Sequence, residues 1–280
     1  MALVRFPGTS PAANPDQDPD DNHDIELTDA DDDLDAGGKM SFLEHLDELR
    51  KRLIACVVAL IIGTVVAFFF LDDYIFPFIM LPLQQMLPDG GRLITTEATE
   101  YFMLFLKVGL LSGLLIAAPF ILWQVWLFVA PGLYSREKRF AIPFVVAASI
   151  CFFFGAAFSH YVAFPVTWRF FIDFTADFVQ FMPKIGPAFA LYVKMLLAFG
   201  IIFQMPVLVF ALARMGVVTA GFLVRHIKYA VLIIFILGAV LSPGGDIASQ
   251  MMMAGPMLVL YAISIGIAWA FGKRKKPALE

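Results

Sequence analysis

From Leu53 onward the chain alternates long uncharged stretches with short clusters of charge. A helix rises about 1.5 Å per residue and needs roughly 17–25 apolar residues to cross a hydrocarbon core of about 30 Å. Read this way, six helices are predicted. They fall at 53–71; between Lys107 and Arg136, ending near Ala130-Pro131-Gly132; from 140 to about 162; at 190–213; at 229–241; and at 247–271. Pro and Gly punctuate the ends of the second and third. The predicted fold is an all-α integral membrane protein with six transmembrane helices and both termini on one side.

The fifth stretch holds 13 residues, a rise of only about 20 Å. Length alone suits a buried or re-entrant segment, yet a single crossing after it would leave the basic cluster 273–276 outside. That cluster selects a paired crossing by short fifth and sixth helices, accommodated by local thinning of the bilayer. Orientation follows from Lys and Arg, which concentrate in cytoplasmic loops. Fourteen of the 20 fall on one side, in clusters at 39–52, 136–139, 214–228 and 273–276. The N and C termini are therefore cytoplasmic. Lys107 and Lys194 lie just inside helix ends, where long side chains snorkel to the outer interface.

Composition narrows the function. At 60% hydrophobic and 16% charged, the chain departs from the ~45–50% and ~25% of soluble domains. A disordered chain and a basic nucleic-acid-binding domain are excluded, so no nucleic acid partner is expected. The net charge of −4 averages two regions: residues 1–39 carry eleven acids and two bases, and the remainder is net basic. The domain organisation is an acidic, disordered cytoplasmic tail over 1–39 without the apolar run of a secretory signal, a transmembrane domain over 40–272 and a basic cytoplasmic C-terminus over 273–280.

Catalytic motifs are missing from the sequence. It has no nucleophile elbow, no H-E-x-x-H and no phosphate loop, and Cys56 and Cys151 sit in separate apolar runs. No cofactor, no metal and no enzymatic activity are expected. An intramembrane protease would have only Ser112 and His160 to draw on, and no spacing links them. A small-solute secondary transporter, the alternative reading, would need ionisable or broken-helix sites at mid-membrane; no buried acid and no internal repeat stand out. Gly109-x-x-x-Gly113 offers a helix-packing face. Gln204 is a lone amide in the fourth helix and predicts an interhelical hydrogen bond.

The most patterned polar segment precedes the first helix. In Ser41-Phe-Leu-Glu-His-Leu-Asp-Glu-Leu-Arg-Lys-Arg52, Ser41 and Glu44 form a capping box. Phe42, Leu46, Leu49 and Leu53 make one apolar stripe of an amphipathic interfacial helix, and Glu48 and Arg52 are spaced for an i, i+4 ion pair.

His45-Leu-Asp-Glu-Leu-Arg-Lys-Arg52, Val-Trp-Leu-Phe-Val-Ala-Pro-Gly-Leu-Tyr-Ser-Arg-Glu-Lys-Arg at 125–139, Phe-Gln-Met-Pro at 203–206 and the Ser242–Gln250 turn together resemble the TatC subunit of the twin-arginine translocase, over about 40–276. The resemblance implies a multi-pass protein of the bacterial cytoplasmic (inner) membrane. Such a subunit recognises twin-arginine signal peptides, self-associates in the complex and works with TatA and TatB to pass folded proteins across the bilayer, driven by the proton-motive force. It implies that Glu48 and Glu137 bind the arginines, which suits carboxylates because planar guanidinium groups make bidentate, charge-assisted bonds to them. By the same resemblance Phe128 contacts the apolar residue after the arginines, and Arg50 and Leu53 support the site. Pro82 matches a proline of the first outer loop. Gln204 stands where the family often has Glu, on the face that receives a signal peptide or partner helix. Asp246 closes an outer turn in which Gly244-Gly245 replaces the commoner pair of prolines.

Overall fold

The computed structural model describes residues 42–87, 91–129, 141–175, 181–242 and 246–272. The acidic segment 1–39, Ser41 of the capping box, the loop carrying Glu137, the Gly244-Gly245 pair and the basic end 273–280 lie outside the described residues. Of the N-terminal unit Met1–His45, only the first turn of α1 is described; all that follows concerns the second unit, Leu46–Glu280, apart from the helix bounds.

The described residues are helical almost throughout. Helix α1 spans Phe42–Phe69, so from Leu46 onward the amphipathic stretch continues into the first crossing without a break. A π-helical turn, Leu71–Ile75, leads into α2, Phe76–Gln85, on the outer side. The second crossing is α3, Glu100–Val129. The third is α4, Ala141–Phe158, which passes through a second π-helical turn, Ser159–Ala163, into α5, Phe164–Asp173. The fourth is α6, Ile185–Ile202, continued by α7, Met205–Met215. After the short α8, Ala220–Arg225, come α9, Ile227–Leu241, and α10, Ile247–Phe271. Among the described residues five spans are long and apolar enough to cross a membrane, and α9 is the shorter sixth.

One device recurs at three places. Pro77, Pro165 and Pro206 lack an N–H, and each ring would clash with the carbonyl four residues earlier. Those carbonyls belong to Asp73, Tyr161 and Ile202. The first two lie within the π-helical turns, which widen the backbone to make room; the third closes α6, after which the chain re-starts as α7. Thus the third crossing does not stop near 162 but runs on to Asp173.

Packing separates a buried pillar from a lipid-facing rod. Phe189, Tyr192, Met195, Leu196 and Phe199 of α6 are buried against α4 and the outer helices. Around α10, residues Val209, Ala213, Ile234, Ala254, Met257 and Tyr261 form a second core shared with α7 and α9. By contrast only 11% of the apolar window of α1 is buried, and Ile54, Val57, Ile61 and Val65 point outward, as suits a helix solvated by lipid. Contact with α3 is made through glycine. A Cβ on Gly113 would enter the backbone of Thr64, one on Gly63 would meet the Gly113 carbonyl, and Gly109 lies under the Phe68 ring, so the Gly109/Gly113 face packs against α1.

The fifth crossing is short and the sixth is not. Fifteen residues in α9 rise about 22 Å, whereas the 25 of α10 rise about 37 Å. Lys194, on α6, donates from Nζ to the Val240 carbonyl at 2.6 Å, holding the outer end of α9 well inside that of α6.

Candidate functional site

At the cytoplasmic end, α1 brings Glu48 and Arg52 onto one face, one helical turn apart. Arg52 donates to Glu48 Oε1 twice, from Nη2 at 2.6 Å and Nε at 3.1 Å, and its Nη1 reaches Gln124 Oε1 of α3 at 3.1 Å. The pair is largely withdrawn from solvent, with side-chain exposures of 18% for Glu48 and 24% for Arg52. Glu48 Oε2 is buried and has no hydrogen-bond partner among the described residues. Nearby on α3, the Trp126 ring packs on Phe144 with centroids 4.0 Å apart, and its buried Nε1–H is likewise unpaired. An unsatisfied buried carboxylate oxygen costs stability unless a donor arrives.

The remaining expected residues distribute over both faces. Arg50 and Leu53 are exposed on α1, Leu46, Leu49 and Leu53 forming its outward stripe. Phe128 is half-buried near the end of α3. Glu137 lies outside the described residues. On the outer side Pro82 is buried within α2. Gln204, at the break between α6 and α7, donates from Nε2 to the Ala148 carbonyl of α4 at 3.0 Å, the interhelical bond its position in an apolar helix predicts. Asp246 is the N-cap of α10: its carboxylate accepts from Ser249 N at 2.9 Å and from Ser249 Oγ at 2.5 Å. The Ser249 hydroxyl and its backbone N–H hold the Asp246 carboxyl below its ordinary value.

Sequence reasoning missed Gln124, which fixes the Arg52 guanidinium; a lone amide in the apolar run Leu-Trp-Gln-Val-Trp was the available signal. It also missed Gln250, whose Nε2 donates to the Phe235 carbonyl at 2.8 Å and ties α10 to α9. Ser112 and His160 line one outer cavity of about 600 Å³. Ser112 Oγ donates to the Val108 carbonyl and His160 Nδ1 pairs with Tyr192 Oη, each at 2.8 Å, so both polar groups are engaged elsewhere rather than with each other. No group of His, Cys, Asp and Glu able to hold a metal ion occurs among the described residues.

The model of the family "Sec-independent protein translocase protein (TatC)" matches residues 44–256. The TatC protein of Desulforapulum autotrophicum is 40% identical over 237 residues, covering 85% of this chain and 87% of that one. That of Koribacter versatilis is 39% identical over 233 residues, covering 82% and 85%. A crystal structure of the twin-arginine translocase receptor TatC superposes with a TM-score of 0.70 at 36% identity, over 80% of this chain and 98% of the other. Six apolar helices, the half-buried acid at their cytoplasmic end and these likenesses agree: the chain belongs to the TatC family, multi-pass proteins of the bacterial cytoplasmic membrane that serve as components of the Sec-independent protein translocase.

Proposed function

We propose that this chain is the signal-peptide receptor and core subunit of a twin-arginine translocation complex, moving folded proteins with TatA and TatB as partners and the proton-motive force as drive. The observation that carries the reading is the half-used carboxylate of Glu48. Arg52, steadied by Gln124, occupies Oε1 and fixes the rotamer, while Oε2 stays buried without a donor. An arriving guanidinium would complete the acceptor without first displacing Arg52. A planar fork serves this better than a Lys point charge, and charge-assisted bonds of this kind contribute about 1.5–3 kcal/mol each.

Glu137 is assigned the second arginine on the resemblance of its loop. Phe128 is assigned contact with the apolar residue that follows, with Arg50 and Leu53 flanking. Pro82, Gln204 and Asp246 are read as structural or partner-helix positions, and the acidic 1–39 and basic 273–280 segments as cytoplasmic flanks of the 40–272 domain. The test is binding of a twin-arginine signal peptide and its twin-lysine version to the full chain in nanodiscs. Arginine should be preferred at least about tenfold, and the E48Q/E137Q double variant should lose that preference. Equal affinities for the two peptides would overturn the reading.

A further inference from the structure

A second site lies at the opposite end of the bundle and goes beyond the signal-peptide reading. A cleft of about 470 Å³ opens between α3 and α6 beside α1, lined by Lys107, Lys194 and an apolar wall that includes Leu60, Leu110, Leu114 and Val193. No carboxylate lines it. Both lysines are exposed from the protein. Lys194 has one partner, the Val240 carbonyl; Lys107 has none among the described residues.

The two lysines stand at about the same height on their helices. Gly186 N donates to Glu100 Oε1 at 3.0 Å, so α3 and α6 start side by side at the outer surface. Lys107 lies seven residues beyond Glu100 and Lys194 eight beyond Gly186, about 10–12 Å further along two parallel helices. Unneutralised charge at that depth is costly in hydrocarbon. The bond from Lys194 to the end of α9 draws polar backbone down to the same level, so the outer interface dips beside the short helix. A cluster of two cations above an apolar wall calls for an anion joined to a hydrocarbon chain. Apart from the two lysines every lining residue is apolar, which suits a hydrocarbon chain and offers no partner to the polar side chains of a helix.

We propose that this cleft binds one anionic phospholipid of the outer leaflet, its phosphate between Lys107 and Lys194 and one acyl chain along Leu60, Leu110 and Leu114. Basic pockets between transmembrane helices recognise lipid headgroups by this chemistry. The lipid would seal the notch that the short α9 leaves in the outer leaflet.

Native mass spectrometry of the full chain, titrated with phosphatidylglycerol or with phosphatidylcholine of the same acyl chains, tests it. The expected result is one retained phosphatidylglycerol, favoured at least about tenfold over phosphatidylcholine, with the preference lost in K107Q/K194Q and kept in the cytoplasmic-side control K228Q. Millimolar inorganic phosphate should not displace the lipid; displacement would mean a free-anion site and overturn the assignment. Equal retention of the two lipids, or unchanged retention by K107Q/K194Q, would also overturn it. Should the double variant fail to fold, a phosphatidylglycerol with a photoreactive acyl chain decides on the unaltered protein. Cross-links within 107–114 or 193–197 support the site, and cross-links confined elsewhere refute it.

Discussion

Glu48 and Glu100 each stand near the start of a long crossing helix, yet they spend their oxygens differently. At the outer surface Glu100 Oε2 accepts from Thr96 N and Oε1 from Gly186 N, both at 3.0 Å. Beside it, Ile94 exchanges backbone hydrogen bonds with Pro183 and Ile185, so the approach to α3 is stitched to the start of α6. At the cytoplasmic surface Glu48 gives Oε1 to Arg52 and leaves Oε2 open. An acceptor filled by the chain's own backbone fixes the fold; a buried acceptor left open weakens the fold until a donor from elsewhere fills it. The Glu100 carboxylate is closed by the chain itself, whereas the Glu48 carboxylate keeps one oxygen for something that is not part of this chain.

Replacing one acid at a time should therefore separate binding from folding. E48Q should weaken twin-arginine peptide binding by about 10–100-fold, the loss of one to two charge-assisted bonds, with the thermal midpoint moving by no more than a few degrees. E100Q should reverse the pattern: an unfolding midpoint several degrees lower in circular dichroism melts, and peptide affinity within twofold. The comparison breaks if E100Q harms peptide binding as much as E48Q does. Gln124→Leu comes next in size. It leaves the Glu48–Arg52 pair but removes the anchor of Arg52 Nη1, so affinity should fall about three- to tenfold, read by the same peptide titration. No change would mean that Arg52 is positioned by α1 alone.

What could be read beforehand was local, and what could not was distant. The Glu48–Arg52 pair and the Gly109/Gly113 face follow from helical periodicity, which repeats within a few residues. Gln204 was legible because one amide in an apolar helix must find a partner. Arg52–Gln124, Gly186–Glu100 and Lys194–Val240 join residues 72, 86 and 46 positions apart, and no periodicity encodes which helices meet. Proline misled in a specific way. Pro165 marks the end of a helix by the usual rule, but here a π-helical turn absorbs the missing N–H and the crossing continues to Asp173.

The smallest effect expected concerns Asp246, the outer carboxylate most like Glu100 in being filled by its own neighbourhood. The Ser249 hydroxyl and N–H both donate to it, and Ser242 Oγ pairs with Ser249 Oγ at 2.7 Å, so the cap closes the link between α9 and α10. These bonds hold its carboxyl below the ordinary value. A carboxyl depressed in the folded state adds stability that is complete above its unfolded pKa of about 3.9 and disappears as pH falls through the lower folded value. D246N keeps an acceptor for Ser249 but carries no charge to lose. In melts from pH 7 to pH 2 the wild-type protein should hold a small, constant advantage over D246N down to about pH 4, then surrender it as the acid titrates. A gap that stays constant down to pH 2 would mean that the ionised form of Asp246 gives α10 nothing beyond what a neutral cap provides.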